Sequence, residues 1–141
     1  MSVGILLLTH AGAASPFAPL VQRLLGRLPL RIECFELEFD ADLDTALPRA
    51  STALRRADDG DGVLILTDLF GDTPSNLALG LVDPGRVEVV TGVNLPMVLR
   101  LACLDGRAQP LAELARWIQA KGRQGIRVGT PVGGALVGET A

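Results

Sequence analysis

Apolar runs of strand length alternate along the chain with segments of helix length. Val3–Leu8 and Val63–Thr67 are continuous apolar runs, the pattern of strands that are buried on both faces of a sheet. Leu30–Phe39 alternates apolar and polar residues and predicts a half-exposed edge strand, and Arg86–Thr91 predicts a further strand. The alternation predicts an α/β fold with a mostly parallel sheet and helices on both faces.

The segments between the strands predict helices, and proline, serine and glycine mark several of their ends. Ser15 is the predicted N-cap of a helix over Pro16–Leu25, and Gly26 is its predicted end. The glycine-interrupted tail Arg127–Val137 predicts a last strand, a possible antiparallel addition to the sheet. The other predicted helices are Asp42–Ala57, with Pro48 in its first turn or at a kink, Pro74–Leu81, Pro96–Leu104 and Ala108–Lys121.

Candidate chemistry lies where the first and third strands end. In a flavodoxin-like strand order 2-1-3-4 these strands are neighbours, and ligands bind outside their carboxyl ends. His10, the single histidine, follows the first strand and Asp68 follows the third, so we expect them to face each other. A carboxylate that accepts from Nδ1–H fixes the imidazole tautomer and leaves Nε2 with a free lone pair. Because the sequence contains no GxSxG elbow, His10 is the predicted nucleophile, with Asp68 as its partner.

The loop after Asp68 indicates what the histidine would attack. Gly71, Asp72 and Thr73 precede Pro74 at the start of a predicted helix, where backbone N–H groups suit a phosphoryl group. The Thr73 hydroxyl is expected either to cap this helix or to donate to the same oxygens. Thr9 and Asn94 are possible walls of the site, although Asn94 is more readily explained as the cap of the next helix. The combination favours phosphorylation of histidine, which requires no metal and no cofactor.

Composition narrows the class of protein. A length of 141 residues fits one domain, 1–141. Thirteen basic and sixteen acidic residues give a net charge of −3, which argues against a dedicated nucleic-acid binder. No apolar run approaches the roughly 18 residues of a membrane helix, so no membrane insertion is expected. Cys34 and Cys103 stand in apolar settings and are predicted to be buried thiols of a cytoplasmic protein.

Three segments together resemble a known family. VGILLLTHAGAA (3–14), VLILTDLFGDTPSN (63–76) and VVTGVNLPMVLRL (89–101) are similar to the enzyme IIA domain of the mannose/fructose-type sugar phosphotransferase system. The resemblance implies that His10 takes a phosphoryl group from phospho-HPr and passes it to an enzyme IIB. It also implies that Asp68 is hydrogen-bonded to the histidine and that Thr73 contacts the phosphoryl group. A homodimer, with a C-terminal strand crossing to the partner subunit, is implied as well.

The chain departs from the family pattern near the predicted nucleophile. The family usually has Gly-Gly where this chain has Gly71-Asp72, and commonly has Gly where this chain has Ala11. A carboxylate at Asp72 would lie near the incoming phosphoryl group and slow phosphorylation by like-charge repulsion. If the backbone there needs a positive φ, Asp tolerates it better than most residues. The tail matches less well, which leaves strand exchange open.

Two other functions remain to be distinguished. One is a regulatory binding module of an incomplete phosphotransferase system, whose phosphorylation state another protein senses without sugar transport. The other is a flavodoxin-like cofactor or receiver domain, which the sequence disfavours. It has no tyrosine to stack on a flavin, and Thr9-His10 stands where a receiver needs an acidic pair. The sequence does not identify a sugar.

Overall fold

A computed structural model describes residues 2–104, 109–132 and 135–137. Its centre is a four-stranded parallel sheet in the order β2-β1-β3-β4, which confirms the predicted fold class and strand order. The strands of this sheet are β1 Gly4–His10, β2 Ile32–Leu37, β3 Val63–Thr67 and β4 Val87–Thr91. The helices are α1 Phe17–Leu25, α2 Leu43–Ala57, α3 Thr73–Leu79, α4 Leu95–Ala102 and α5 Leu111–Gln124.

The C-terminal part of the chain forms a separate element. β5 (Thr130–Val132) and β6 (Ala135–Val137) pair with each other in an antiparallel, two-stranded sheet. Within the described residues, the tail is therefore not added to the main sheet as a further strand. Two predicted features fall outside the described residues: the helix start at Ala108 and the interruption of the last strand at 133–134.

Helices cover both faces of the sheet. Ile5 and Leu7 of β1 pack with α1, α4 and α5, whereas Leu6 and Leu8 pack with α2 and α3. Because side chains alternate along a strand, His10 at the end of β1 shares the face of Leu6 and Leu8. This parity directs the only histidine toward the α2 and α3 side of the sheet, at its carboxyl edge.

Close packing between β1 and α2 depends on small residues. The buried face of α2 consists of four alanines, which let the helix approach the sheet closely: Ala46, Ala50, Ala53 and Ala57. Gly4 begins β1 directly against this helix, and a Cβ placed on it would lie 1.7 Å from the backbone oxygen of Ala57. The site at the other end of β1 is thus held on a tightly packed strand.

The predicted N-cap of the first helix was wrong, and of the two positions predicted for Pro48 the first turn was wrong. Helix α1 begins at Phe17 with Pro16 at its N-cap and no side-chain cap hydrogen bond, so Ser15 does not cap it. Pro48 lies in the second turn of α2 and not in its first, since the helix begins at Leu43. Gly26 ends α1 as predicted, with a left-handed φ of 72°.

The two cysteines are exposed, which corrects the prediction of buried thiols. Cys34 lies on the edge strand β2, and Cys103 is the C-cap of α4. Apolar neighbours in sequence did not bury either residue, because Cys34 lies on an edge strand of the sheet and Cys103 lies at the end of a helix. Among the helices that the structure describes, none has both the length and the apolar character needed to span a bilayer.

Candidate functional site

His10 and Asp68 form a hydrogen-bonded pair where β1 and β3 end, as predicted. His10 Nδ1 lies 2.8 Å from Asp68 Oδ2, and the same oxygen accepts from the His10 backbone N–H at 3.1 Å. The other carboxylate oxygen accepts from the backbone N–H of Leu69 at 3.1 Å. An ionised carboxylate can only accept, so its partner Nδ1 carries a hydrogen. The side chains of His10 and Asp68 are 18% and 22% exposed, which leaves the ring accessible from solvent.

The second ring nitrogen is also paired. His10 Nε2 lies 2.9 Å from Asp72 Oδ2, which corrects the prediction of a free lone pair on this atom. With carboxylates on both nitrogens, the imidazolium is the protonation state that satisfies both contacts. The hydrogen bond to Asp68, together with the charges of Asp68 and Asp72, raises the pKa of His10 despite an opposing effect of burial. The Thr73 backbone N–H, helped by His10, lowers the pKa of Asp72.

The loop after β3 directs Asp72 toward the histidine without backbone strain. The left-handed conformation predicted as a possibility at Asp72 lies instead at Gly71, with φ +83°, and Asp72 itself is extended at φ −108°. Asp72 is the N-cap of α3 and accepts from the Thr73 N–H at 2.8 Å, so Thr73 is the first helical residue and not the cap.

Ser75 stabilises the loop after β3, and the sequence analysis missed this residue. Its fully buried hydroxyl accepts from the Gly71 N–H and donates to the Asp72 carbonyl, both at 2.9 Å. A serine three residues after an acidic N-cap was the available signal, since short hydroxyl side chains bond to nearby backbone groups. Ser75 therefore fixes the turn from which the Asp72 side chain extends.

Phe39 is a second residue that the sequence analysis did not single out. Its ring stacks on the His10 imidazole with centroids 5.4 Å apart and planes at 24°, yet the side chain is 83% exposed. The available signal in the sequence was that Phe39 is the apolar residue at the end of the alternating stretch Leu30–Phe39. Leu69 and Phe70 are exposed in the loop after β3, so apolar side chains flank the histidine on this edge.

The two possible site walls have other roles. Thr9 is fully buried, and its hydroxyl donates to the His10 carbonyl at 2.8 Å, so it holds the backbone beneath the site. Asn94 caps α4 by accepting from the Met97 N–H at 3.0 Å, which is the alternative that the sequence favoured. Its amide also donates to the Gly122 carbonyl at 3.1 Å and ties α4 to α5.

No metal-binding cluster accompanies the histidine: within the described ranges, no three His, Cys, Asp or Glu side chains are grouped as metal ligands. A cavity of about 600 Å³ lies at the opposite edge of the sheet, where Val3, Leu30, Arg86 and Leu111 contribute to its lining. Arg86 is already bound there to Asp58 at 2.9 Å. His10 is instead held between two carboxylates at a solvent-accessible edge of the sheet.

Most of the chain is similar in sequence to known proteins. Residues 4–118 match the family model described as PTS system fructose IIA component. The PTS system mannose-specific EIIAB component of Escherichia coli (strain K12) is 27% identical over 128 residues, 90% of this chain and 39% of that protein. The chain thus spans about two fifths of that relative's length. The putative phosphotransferase enzyme IIA component YadI of the same strain is 42% identical over 55 residues, 38% of each chain.

Solved structures show the same fold. A mannose/sorbose specific IIA subunit of the phosphotransferase system from Enterococcus faecalis aligns with a TM-score of 0.77 at 24% identity, over 94% of this chain and 98% of that one. A PTS IIA protein associated with the fucose utilization operon from Streptococcus pneumoniae aligns with a TM-score of 0.69 at 25% identity, over 85% and 93% of the two chains. The matched family range contains His10, Asp68 and Asp72.

Proposed function

The chain belongs to the fructose/mannose-type IIA family of the sugar phosphotransferase system, and we propose that it is a phosphocarrier that is phosphorylated on His10. Family membership gives the chain a phosphotransfer role. The observation that supports His10 as the acceptor is its pairing with Asp68, 2.8 Å from Nδ1, at the carboxyl ends of two neighbouring strands. Because Asp68 holds Nδ1, Nε2 is the ring nitrogen that we propose to react.

In the proposed reaction, Nε2 of His10 first releases its proton to solvent and then attacks the phosphorus of a phosphohistidine on HPr. The Nε2–P bond forms as the donor N–P bond breaks, and the bonding electron pair goes to the donor imidazole. Nδ1–H stays with Asp68, whose charge stabilises the positive charge that the phosphorylated ring acquires. Alignment of the two histidines and electrostatic stabilisation supply the catalysis, and Gly71, Asp72 and Thr73 border the transferred group.

Phospho-HPr as donor and an enzyme IIB as acceptor complete the proposal. The exposed apolar residues beside the histidine, Phe39, Leu69 and Phe70, support a reaction between proteins because they give a partner a surface to contact. A second copy of this chain is a further proposed partner, supported by the family resemblance. Light scattering tests it, and the mass of a single chain at all concentrations would exclude the dimer.

Intact mass spectrometry tests the proposed acceptor. The wild-type chain and His10→Ala are incubated with phosphoenolpyruvate, enzyme I and HPr, and circular dichroism confirms that the variant is folded. We expect wild type alone to gain one acid-labile phosphoryl group, which it then loses to an added IIB. Labelling of His10→Ala to the wild-type extent would rule out His10, and labelled chain that never discharges would favour a regulatory module.

A further inference from the structure

The carboxylate of Asp72 occupies the position that the phosphoryl group must take. Nitrogen Nε2 has one in-plane lone pair, and Asp72 Oδ2 lies 2.9 Å from this atom. The ring is also confined elsewhere, since Asp68 holds Nδ1 and Phe39 stacks on one face. An incoming phosphorus must approach Nε2 in the plane of the ring, along the direction that Asp72 fills. The Asp72 carboxylate and the incoming phosphoryl group therefore compete for the same position beside Nε2.

We propose that Asp72 is a rate-setting residue of phosphoryl transfer: its carboxylate closes Nε2 in the unphosphorylated chain and must leave before phosphorus can bond there. The inference rests on the proposed function, because it assumes that His10 is the phosphoryl acceptor. It assigns to this chain a control on the acceptor atom that a glycine at the same position would not provide.

The contact between Asp72 and Nε2 can open while the backbone of the loop stays in place. Asp72 is anchored through Oδ1, which accepts from the Thr73 N–H at 2.8 Å, while Oδ2 alone reaches the histidine. Its side chain is 49% exposed, so it can turn into solvent without leaving a buried charge unpaired. Gly71 carries the positive φ and Ser75 braces the turn, so movement of the Asp72 side chain does not require the loop backbone to rearrange.

The closed contact also controls the proton on Nε2. A protonated Nε2 has no lone pair to attack phosphorus, and Asp72 stabilises that protonated state. The charged groups that face the imidazole are Asp68 after β3 and Asp72 at α3, whereas Glu36 of β2 directs its carboxylate to the Gly12 N–H. Since the pKa of His10 is raised, the imidazolium persists below that pKa and is lost as pH rises through it. The phosphorylation rate should rise over the same interval.

The experiment compares wild type with Asp72→Asn and Asp72→Gly. Asparagine caps a helix as well as aspartate does and removes only the charge, whereas glycine also clears the space beside Nε2 at a small cost in capping. Asp59→Asn is the matched control, because it makes the same charge change on the exposed loop at the opposite edge of the sheet. Initial rates of phosphorylation by phosphoenolpyruvate, enzyme I and HPr are measured by intact mass across pH 6 to 9.

A second measurement follows the proton directly. His10 is the only histidine, so an untagged chain gives a single imidazole signal in NMR, and its titration reports the pKa of that ring. We expect the His10 pKa to fall in both Asp72 variants, and the rise of rate with pH to move to lower pH with it. At neutral pH the rate of Asp72→Asn should increase about two- to fivefold, the range for losing an exposed ion pair.

The outcomes distinguish the proposed control by Asp72 from the proposed phosphocarrier function. If wild type is labelled at His10 but Asp72→Asn is no faster, or its His10 pKa is unchanged, the control by Asp72 is refuted and the phosphocarrier function stands. If no chain is labelled, the proposed function fails, and control by Asp72 fails with it. Labelling of Asp72→Gly alone would support both proposals, since it would show that Asp72 closes the acceptor atom completely.

Discussion

Replacing Asp68 by asparagine tests the pair on which the proposed chemistry depends. The carboxylate uses both oxygens: Oδ2 accepts from Nδ1 at 2.8 Å and from the His10 N–H at 3.1 Å, and Oδ1 accepts from the Leu69 N–H. Asparagine has one acceptor oxygen, so its NH2 group must face a donor on one side. We expect the oxygen to stay with His10, because the Leu69 N–H is exposed and can bond to water.

The size of the expected rate loss follows from the neutral hydrogen bond that His10 keeps in Asp68→Asn. A hydrogen bond to a charged group contributes about 1.5–3 kcal/mol and a neutral one about 0.5–1.5 kcal/mol, so Asp68→Asn loses about 1–2 kcal/mol of support for a charged ring. At about 1.4 kcal/mol per factor of ten, the phosphorylation rate should fall about five- to thirtyfold at a pH above the His10 pKa, where the resting ring is already neutral. The low exposure of the two side chains, 18% and 22%, limits screening of this interaction by solvent.

The assay is the time course of the phosphorylated fraction by intact mass, with HPr phosphorylation kept faster than transfer to this chain. Asp59→Asn serves again as the control for net charge, and urea unfolding separates a loss of stability from a loss of rate. A rate within twofold of wild type for a folded Asp68→Asn would refute the electrostatic role of Asp68. It would show that Asp68 only holds the loop after β3 in place.

Two further predictions concern stability. Gly4→Ala places a Cβ 1.7 Å from the Ala57 oxygen, so β1 and α2 must separate. We expect urea unfolding to show that the free energy of unfolding falls by about 3 kcal/mol. An unchanged midpoint of unfolding would refute this close packing. Asn94→Ala removes the cap of α4 and the bond to Gly122, which should lower the free energy of unfolding by about 1–2 kcal/mol. Its phosphorylation rate should stay at the wild-type value, and a rate loss in the folded variant would place Asn94 in the site after all.

The fold and the His10–Asp68 pair were predictable because they follow from the order of the strands. Continuous apolar runs such as Val63–Thr67 identify central strands, and parallel strands bring their carboxyl ends to one edge. His10 and Asp68 lie at the ends of two such strands, so their positions depend very little on the conformation of the loops. The same rule does not determine the direction of side chains farther along each loop.

The contacts of Asp72 and Phe39 could not be predicted, because they depend on geometry within loops. The Asp72 carboxylate reaches Nε2 only because Gly71 takes a positive φ and Ser75 fixes the following turn. Phe39 follows an alternation that predicts a strand residue, but β2 ends at Leu37 and the ring turns toward His10. Cys34 shows the same limit, since apolar neighbours do not specify which side of an edge strand faces solvent.

Asp68 and Asp72 make contacts of nearly equal length to one imidazole, 2.8 and 2.9 Å, yet the proposed chemistry predicts opposite effects on rate. Only interactions that are stronger in the transition state than in the resting chain accelerate a reaction. The contact of Asp68 is on the nitrogen that keeps its hydrogen, so it would persist when Nε2 loses its proton and strengthen as the neutral ring gains positive charge on attack. The contact of Asp72 is on the nitrogen that would bond to phosphorus, so it would stabilise only the resting chain. We therefore expect removal of a negative charge to slow phosphorylation at residue 68 and to speed it at residue 72, a difference that net charge alone cannot produce.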